Sequence, residues 1–188
     1  MDYRTMDRNI YHKEFRVKII LLMLFVFIIT GCSTVRTYST NVPSEEEIAE
    51  SITYNFNEIK KGGHLRTEAY LSEGFSSVRR ITYFYRAKHD SDKVDIQLYA
   101  RMGGSKWCLI EQVYDEFDEK INITLIEKKS ISRNFVSEDF ALNLSMKDLE
   151  KLSQQDISFK ALGISCTMAF TIDKRVSNAF INRLYKHI

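Results

Sequence analysis

The strongest constraint on the fold is a hydrophobic period of two in the middle of the chain. In Val94-Asp95-Ile96-Gln97-Leu98-Tyr99-Ala100-Arg101 the apolar Val94, Ile96, Leu98 and Ala100 alternate with Asp95, Gln97, Tyr99 and Arg101. Successive side chains on a strand point to opposite faces, so the pattern predicts one buried and one wet face, as in an antiparallel sheet. Similar runs occupy 65–71, 78–88, 106–114, 120–127 and 138–144. Between them lie the turn-forming stretches Ser72-Glu73-Gly74, His89-Asp90-Ser91-Asp92, Met102-Gly103-Gly104-Ser105 and Asp115-Glu116-Phe117-Asp118-Glu119. This order predicts successive hairpins in a meander.

Helical signals flank the strands. Ser44 followed by Glu47 has the form of a capping box, Ile48, Ile52, Phe56 and Ile59 recur at helical spacing, and Gly62-Gly63 supplies a stop. A helix is therefore expected over 44–61. A short helix over 145–155 is expected to bury Met146, Leu149 and Leu152, and strands follow at 157–162 and 165–172. From Asp173 a last helix carries Val176, Ala179, Phe180, Leu184 and Tyr185 on one side. The expected class is α+β: an antiparallel β-sheet meander packed against an N-terminal and a C-terminal helix as a two-layer sandwich.

The amino terminus follows other rules. Residues 1–18 are polar and net positive, and Ile19 through Ile29 form an unbroken apolar run ending in Thr30-Gly31-Cys32. Eleven to thirteen helical residues reach about 20 Å, short of the roughly 30 Å hydrocarbon layer, so the run suits a secretory signal better than a membrane span. Ile29-Thr30-Gly31-Cys32 resembles the lipobox of bacterial lipoproteins. The resemblance implies lipid attachment to the Cys32 thiol, cleavage between Gly31 and Cys32, and acylation (palmitate or a similar chain) of the new amino group. Ser33 after the cysteine resembles the outer-membrane sorting pattern of Gram-negative bacteria, which implies a lipid-anchored protein on the periplasmic side. In a Gram-positive organism the same signal implies the outer face of the plasma membrane. The organisation expected is a cleaved signal peptide (1–31), a lipidated cysteine and tether (32–43), and one globular domain (44–188). The later part of that domain, with Trp107-Cys108-Leu109-Ile110 opening a strand before an acidic turn, resembles small uncharacterised bacterial lipoproteins.

Charge narrows the partners. The chain has 27 Lys+Arg and 25 Asp+Glu, of which five basic and three acidic residues lie in 1–31, so residues 32–188 carry 22 of each. A neutral body lacks the cationic excess that displaces phosphate counterions, and no nucleic-acid partner is expected. Cys108 and Cys166 remain once Cys32 is acylated. They form a disulfide if their strands bring the α-carbons within about 4.4–6.8 Å, and otherwise act as two buried thiols. His64, His89 and His187 lack the spacing of a zinc site, so neither metal nor cofactor is expected. No Gly-x-Ser-x-Gly turn occurs, and Glu111, among Trp107, Leu109 and Val113, is the one acid in an apolar strand setting that burial would poise for catalysis.

The best binding feature is Tyr83-Phe84-Tyr85 between Arg79, Arg80 and Arg86. Alternation sends Tyr83 and Tyr85 to one face and Phe84 to the other. Tyr83, Tyr85, Tyr99 and Arg101 are taken as the interaction face, because Tyr and Arg are enriched at protein interfaces. The plain alternative is an ordinary wet sheet face with cross-strand aromatic pairs. The functional expectation is a lipid-anchored envelope protein that is a non-catalytic binding or accessory module with a protein partner. The rivals are an envelope enzyme and a small-ligand or lipid carrier.

Overall fold

The alternating run becomes β5 (Val94–Gly104), which pairs along its length with β4 (Arg79–His89) on one side and β9 (Phe135–Leu144) on the other. The computed structural model describes residues 43–58, 62–72, 79–90 and 93–188, all within one compact unit, Tyr38–Ile188. The expected signal peptide, Gly31, Cys32 and the tether up to residue 42 lie outside the described residues. Outward from β4 lie β2 (Gly62–Arg66), β1 (Thr53–Asn57) and the short β3 (Tyr70–Leu71), and outward from β9 lies β8 (Ile123–Ser132). These strands make a large antiparallel sheet in the order β1-β2-β4-β5-β9-β8, with β3 beside β4.

A second antiparallel sheet runs β11-β10-β6-β7, from β6 (Ile110–Asp115), β7 (Lys120–Ile121), β10 (Ile157–Gly163) and β11 (Thr167–Ile172). Three helices complete the described residues: α1 (Glu45–Ser51), α2 (Met146–Gln154) and α3 (Lys174–Leu184). Ser44 and Ser145 each close a full capping box, and Asp173 caps α3 by accepting from the Arg175 amide.

The fold is α+β with antiparallel sheets, and two parts of the expected arrangement are corrected. The helix expected over 44–61 ends at Ser51. Ile52 is extended, and Thr53–Asn57 pairs with Gly62–Arg66 as β1 and β2. Thr53, Tyr54 and Phe56 are β-branched or aromatic, and pairing with β2 outweighs a helical period that Phe56, 55% exposed, does not use. The meander is also not continuous. After β5 the chain leaves the large sheet, β6 pairs with β10 in the second sheet, and the chain returns as a β8–β9 hairpin that turns at Arg133-Asn134 and sets β9 against β5.

The core lies between the inner face of the large sheet, the second sheet and α3. Phe140 of β9 meets Phe170 of β11 edge-on at 6.3 Å, and Tyr85 stacks on Phe180 of α3 at 5.0 Å. Ser72, after β3, exchanges hydrogen bonds with the backbone of Thr171 on β11. Burial of these aromatic and aliphatic side chains is the main stabilising term. A close approach joins the second sheet to the loop before β6: a Cβ at Gly163 would collide with the Cys108 carbonyl oxygen.

Candidate interaction face

Alternation along four strands sorts the large sheet into two chemically different faces. The outer face carries Arg66 on β2, Arg80, Thr82, Phe84, Arg86 and Lys88 on β4, Gln97, Tyr99 and Arg101 on β5, and Asp139 and Asn143 on β9. Phe84 lies opposite Tyr99, and their rings stack at 4.9 Å with planes 10° apart. The Arg66 guanidinium sits 4.3 Å above the Phe84 ring, and Arg86 donates to the Tyr99 hydroxyl at 3.4 Å. Arg101 grips Asp139 with two nitrogens, Nε at 3.0 Å and Nη2 at 2.6 Å. Gln97 donates to Asn143 at 3.0 Å, which donates to Thr124 at 3.0 Å, forming an amide chain across three strands. A groove of about 410 Å³ beside this chain is lined by Arg86, Lys88, Asp95, Gln97 and Asn143, with Val94, Ile96 and Leu144.

The expected face of Tyr83, Tyr85, Tyr99 and Arg101 is therefore split. Tyr99 and Arg101 lie on the outer face, but Tyr83 and Tyr85 are 1% and 0% exposed and belong to the core. Both hydroxyls are hydrogen-bonded within the protein: Tyr83 accepts from the Asp173 amide at 3.2 Å, and Tyr85 shares a buried 2.7 Å bond with the Ser177 hydroxyl. Burial pushes both hydroxyls above the ordinary tyrosine range. Pairing supplies the reason for the split, since Tyr83 and Tyr85 oppose the inward Ala100 and Leu98 while Phe84 opposes Tyr99. The ring that accompanies Tyr99 is Phe84.

Cys108 and Cys166 are joined as a disulfide with α-carbons 5.0 Å apart, linking the loop before β6 to the residue preceding β11. Beside them the expected poised acid is corrected. Glu111 is exposed, because Ile110 pairs with Gly163 and Gln112 with Leu162, leaving Glu111 as the extra residue of a bulge. The buried acid is Glu138 of β9, 3% exposed, whose carboxylate accepts from the Cys108, Leu109 and Ile110 amides. Leu109 adopts the left-handed region, φ 60°, and this bend lets three consecutive amides converge on one carboxylate. Both oxygens of Glu138 are thus engaged by backbone, a clamp where the chain crosses from one sheet to the other. In the sequence Glu138 looks like any acid on a strand; the one hint is its even position, shared with Phe140 and Leu142.

Asp115, expected at a solvated hairpin tip, is 5% exposed and accepts from Lys151 at 2.9 Å and from the Phe117 and Glu119 amides. Burial opposes its ionisation, but Lys151 and the amides outweigh that and hold its pKa below the ordinary carboxylate value. The histidines, scattered in sequence, partly converge. The Tyr54 hydroxyl lies 3.0 Å from His89 Nε2, and the His187 ring stacks on Tyr54 at 3.7 Å. His187 Nε2 is buried and makes no hydrogen bond, and burial, with Arg183, His89 and Lys186 nearby, lowers its pKa. Among the described residues no group of three or more His, Cys, Asp or Glu has the arrangement of a metal site, and no helix is long and apolar enough to cross a membrane. Comparison of the chain with protein-family models finds no match, and comparison with curated protein sequences finds none either.

Proposed function

We propose that this protein is a lipid-anchored cell-envelope protein whose folded body is a non-catalytic binding or accessory module, held through Cys32 at the outer membrane on its periplasmic side. The observation that carries the binding role is the outer face of the large sheet, where Phe84, Tyr99, Arg66, Arg86 and Arg101 form one aromatic and cationic strip. Such residues are over-represented where proteins meet, since they combine large contact area with directional hydrogen bonding. The inner face beneath the strip is filled by Tyr83, Tyr85 and Phe140, with Phe180 of α3 stacked on Tyr85. The lipobox-like quartet Ile29-Thr30-Gly31-Cys32 supports the address. The buried acid Glu138 is consumed by backbone amides, which favours a module over an enzyme.

Two experiments test this reading. Cys32→Ser is expected to block maturation and leave the uncleaved precursor; normal processing of that variant refutes the anchor. Photo-cross-linkers placed at Phe84 and Tyr99 are expected to trap one recurrent envelope protein in intact cells, while a probe at exposed Glu111 does not. Equal trapping at all three positions refutes the assigned face.

A further inference from the structure

The strip is unevenly charged. On a body with equal numbers of acids and bases, the β2–β4 half of the outer face holds Arg66, Arg80, Arg86 and Lys88, and none of the four has a carboxylate within ion-pair distance among the described residues. The nearby acids are already committed, Asp139 to Arg101 and Asp95 to Lys93 at 2.6 Å. Two of the four cations, Arg86 and Lys88, line the 410 Å³ groove, within the size range of ligand sites. Beside them Gln97 spends an amide hydrogen on Asn143 and keeps its carbonyl oxygen open, an acceptor for a backbone N–H.

We infer that this groove binds an acidic, extended segment of a protein partner, with Arg86 and Lys88 taking its carboxylates and the Gln97 carbonyl taking a backbone amide. The inference rests on the module reading above and names the chemistry of its partner. A guanidinium matches a carboxylate in shape, and the flanking ammonium adds charge without dictating geometry. A bilayer fits less well. The site is concave, and the aromatic rings lie flat on one another beneath Arg66 instead of projecting as wedges.

The test uses the full-length protein in non-ionic detergent and a fluorescein-labelled oligoglutamate peptide, read by anisotropy. Binding that weakens as salt rises is expected. The double variant R86Q/K88Q should lose about tenfold in affinity, the size expected for two partly exposed ion pairs. K128Q/K129Q removes the same net charge from exposed β8 and should change affinity less than about twofold. Equal losses in both variants would mean attraction to net charge alone and would overturn the site. So would absence of peptide binding, or salt-sensitive binding to anionic phospholipid vesicles that R86Q/K88Q abolishes while oligoglutamate does not compete. If the peptide fails but in-cell trapping at Phe84 and Tyr99 persists, the face still serves a partner and only the acidic chemistry is wrong; if both fail, the module reading falls.

Discussion

Tyr83, Phe84 and Tyr85 are consecutive rings of nearly equal size, and the sheet divides them between two environments. Tyr83 and Tyr85 are sealed against α3 and its cap, with their hydroxyls bonded inside the protein. Phe84 lies on the far side between Arg66 and Tyr99, partly exposed. The same division separates Glu138, clamped by three amides, from Asp139, half-buried on the outer face and paired to the exposed Arg101. Residue type is alike across each pair and the energetic role is not. An inward position gives a side chain packing and desolvated hydrogen bonds, whereas an outward one leaves it available to a partner.

Substitutions on the two faces should therefore differ most in stability. Tyr85→Ala removes a ring stacked on Phe180 and leaves the Ser177 hydroxyl with the Asp173 carbonyl alone, at 3.5 Å, and should cost about 3–5 kcal/mol in chemical denaturation. Phe84→Ala on the same strand should cost about 1 kcal/mol or less; equal losses would erase the division.

The acids give the next contrast. Glu138→Ala leaves three amides without their acceptor and should destabilise by at least about 3 kcal/mol. Asp139→Ala breaks a two-nitrogen ion pair with the solvent-exposed Arg101 and removes the acceptor of the Ser137 hydroxyl, and should cost about 1 kcal/mol, well below the Glu138 loss. A milder effect belongs to His187, which stacks on Tyr54 at the rim of the inner face. Its folded pKa lies below the ordinary 6.5, so the unfolded chain binds the proton more readily. Its contribution is complete above 6.5 and declines as pH falls through the folded value. His187→Gln should flatten that part of the stability curve, as read by melting temperature against pH. Smallest in stability is Tyr99→Ala, which should shift the denaturation midpoint little while weakening capture of the partner proposed above.

Much of the scaffold was legible beforehand. The alternation of β5, the Ser44–Glu47 capping box and the Val176, Ala179, Phe180 and Leu184 stripe of α3 are local patterns, and the chain obeys them, while Tyr185 falls past the end of α3 and stays exposed. The site was half legible: Tyr99 and Arg101 lie where alternation puts polar residues, but alternation says only that Tyr83 and Phe84 oppose each other, not which is inside. That choice depends on β4 meeting β5 with Tyr83 across from Ala100. The length of α1 was misread because Phe56 keeps helical spacing while its segment gains more by pairing with β2. Glu111 was misread because a bulge breaks the period at that residue.

By itself the sequence determined the local geometry: where strands alternate, where helices start, and a neutral body behind a lipobox-like amino terminus. These follow from contacts within a few residues, where side-chain chemistry and backbone preference act directly. The tertiary structure alone decided that the strands divide between two sheets, that Cys108 meets Cys166, that Glu138 and not Glu111 is buried, and that Phe84 joins Tyr99 on the open face. Each depends on pairing between segments far apart in the chain, where a shift of one residue exchanges inside for outside.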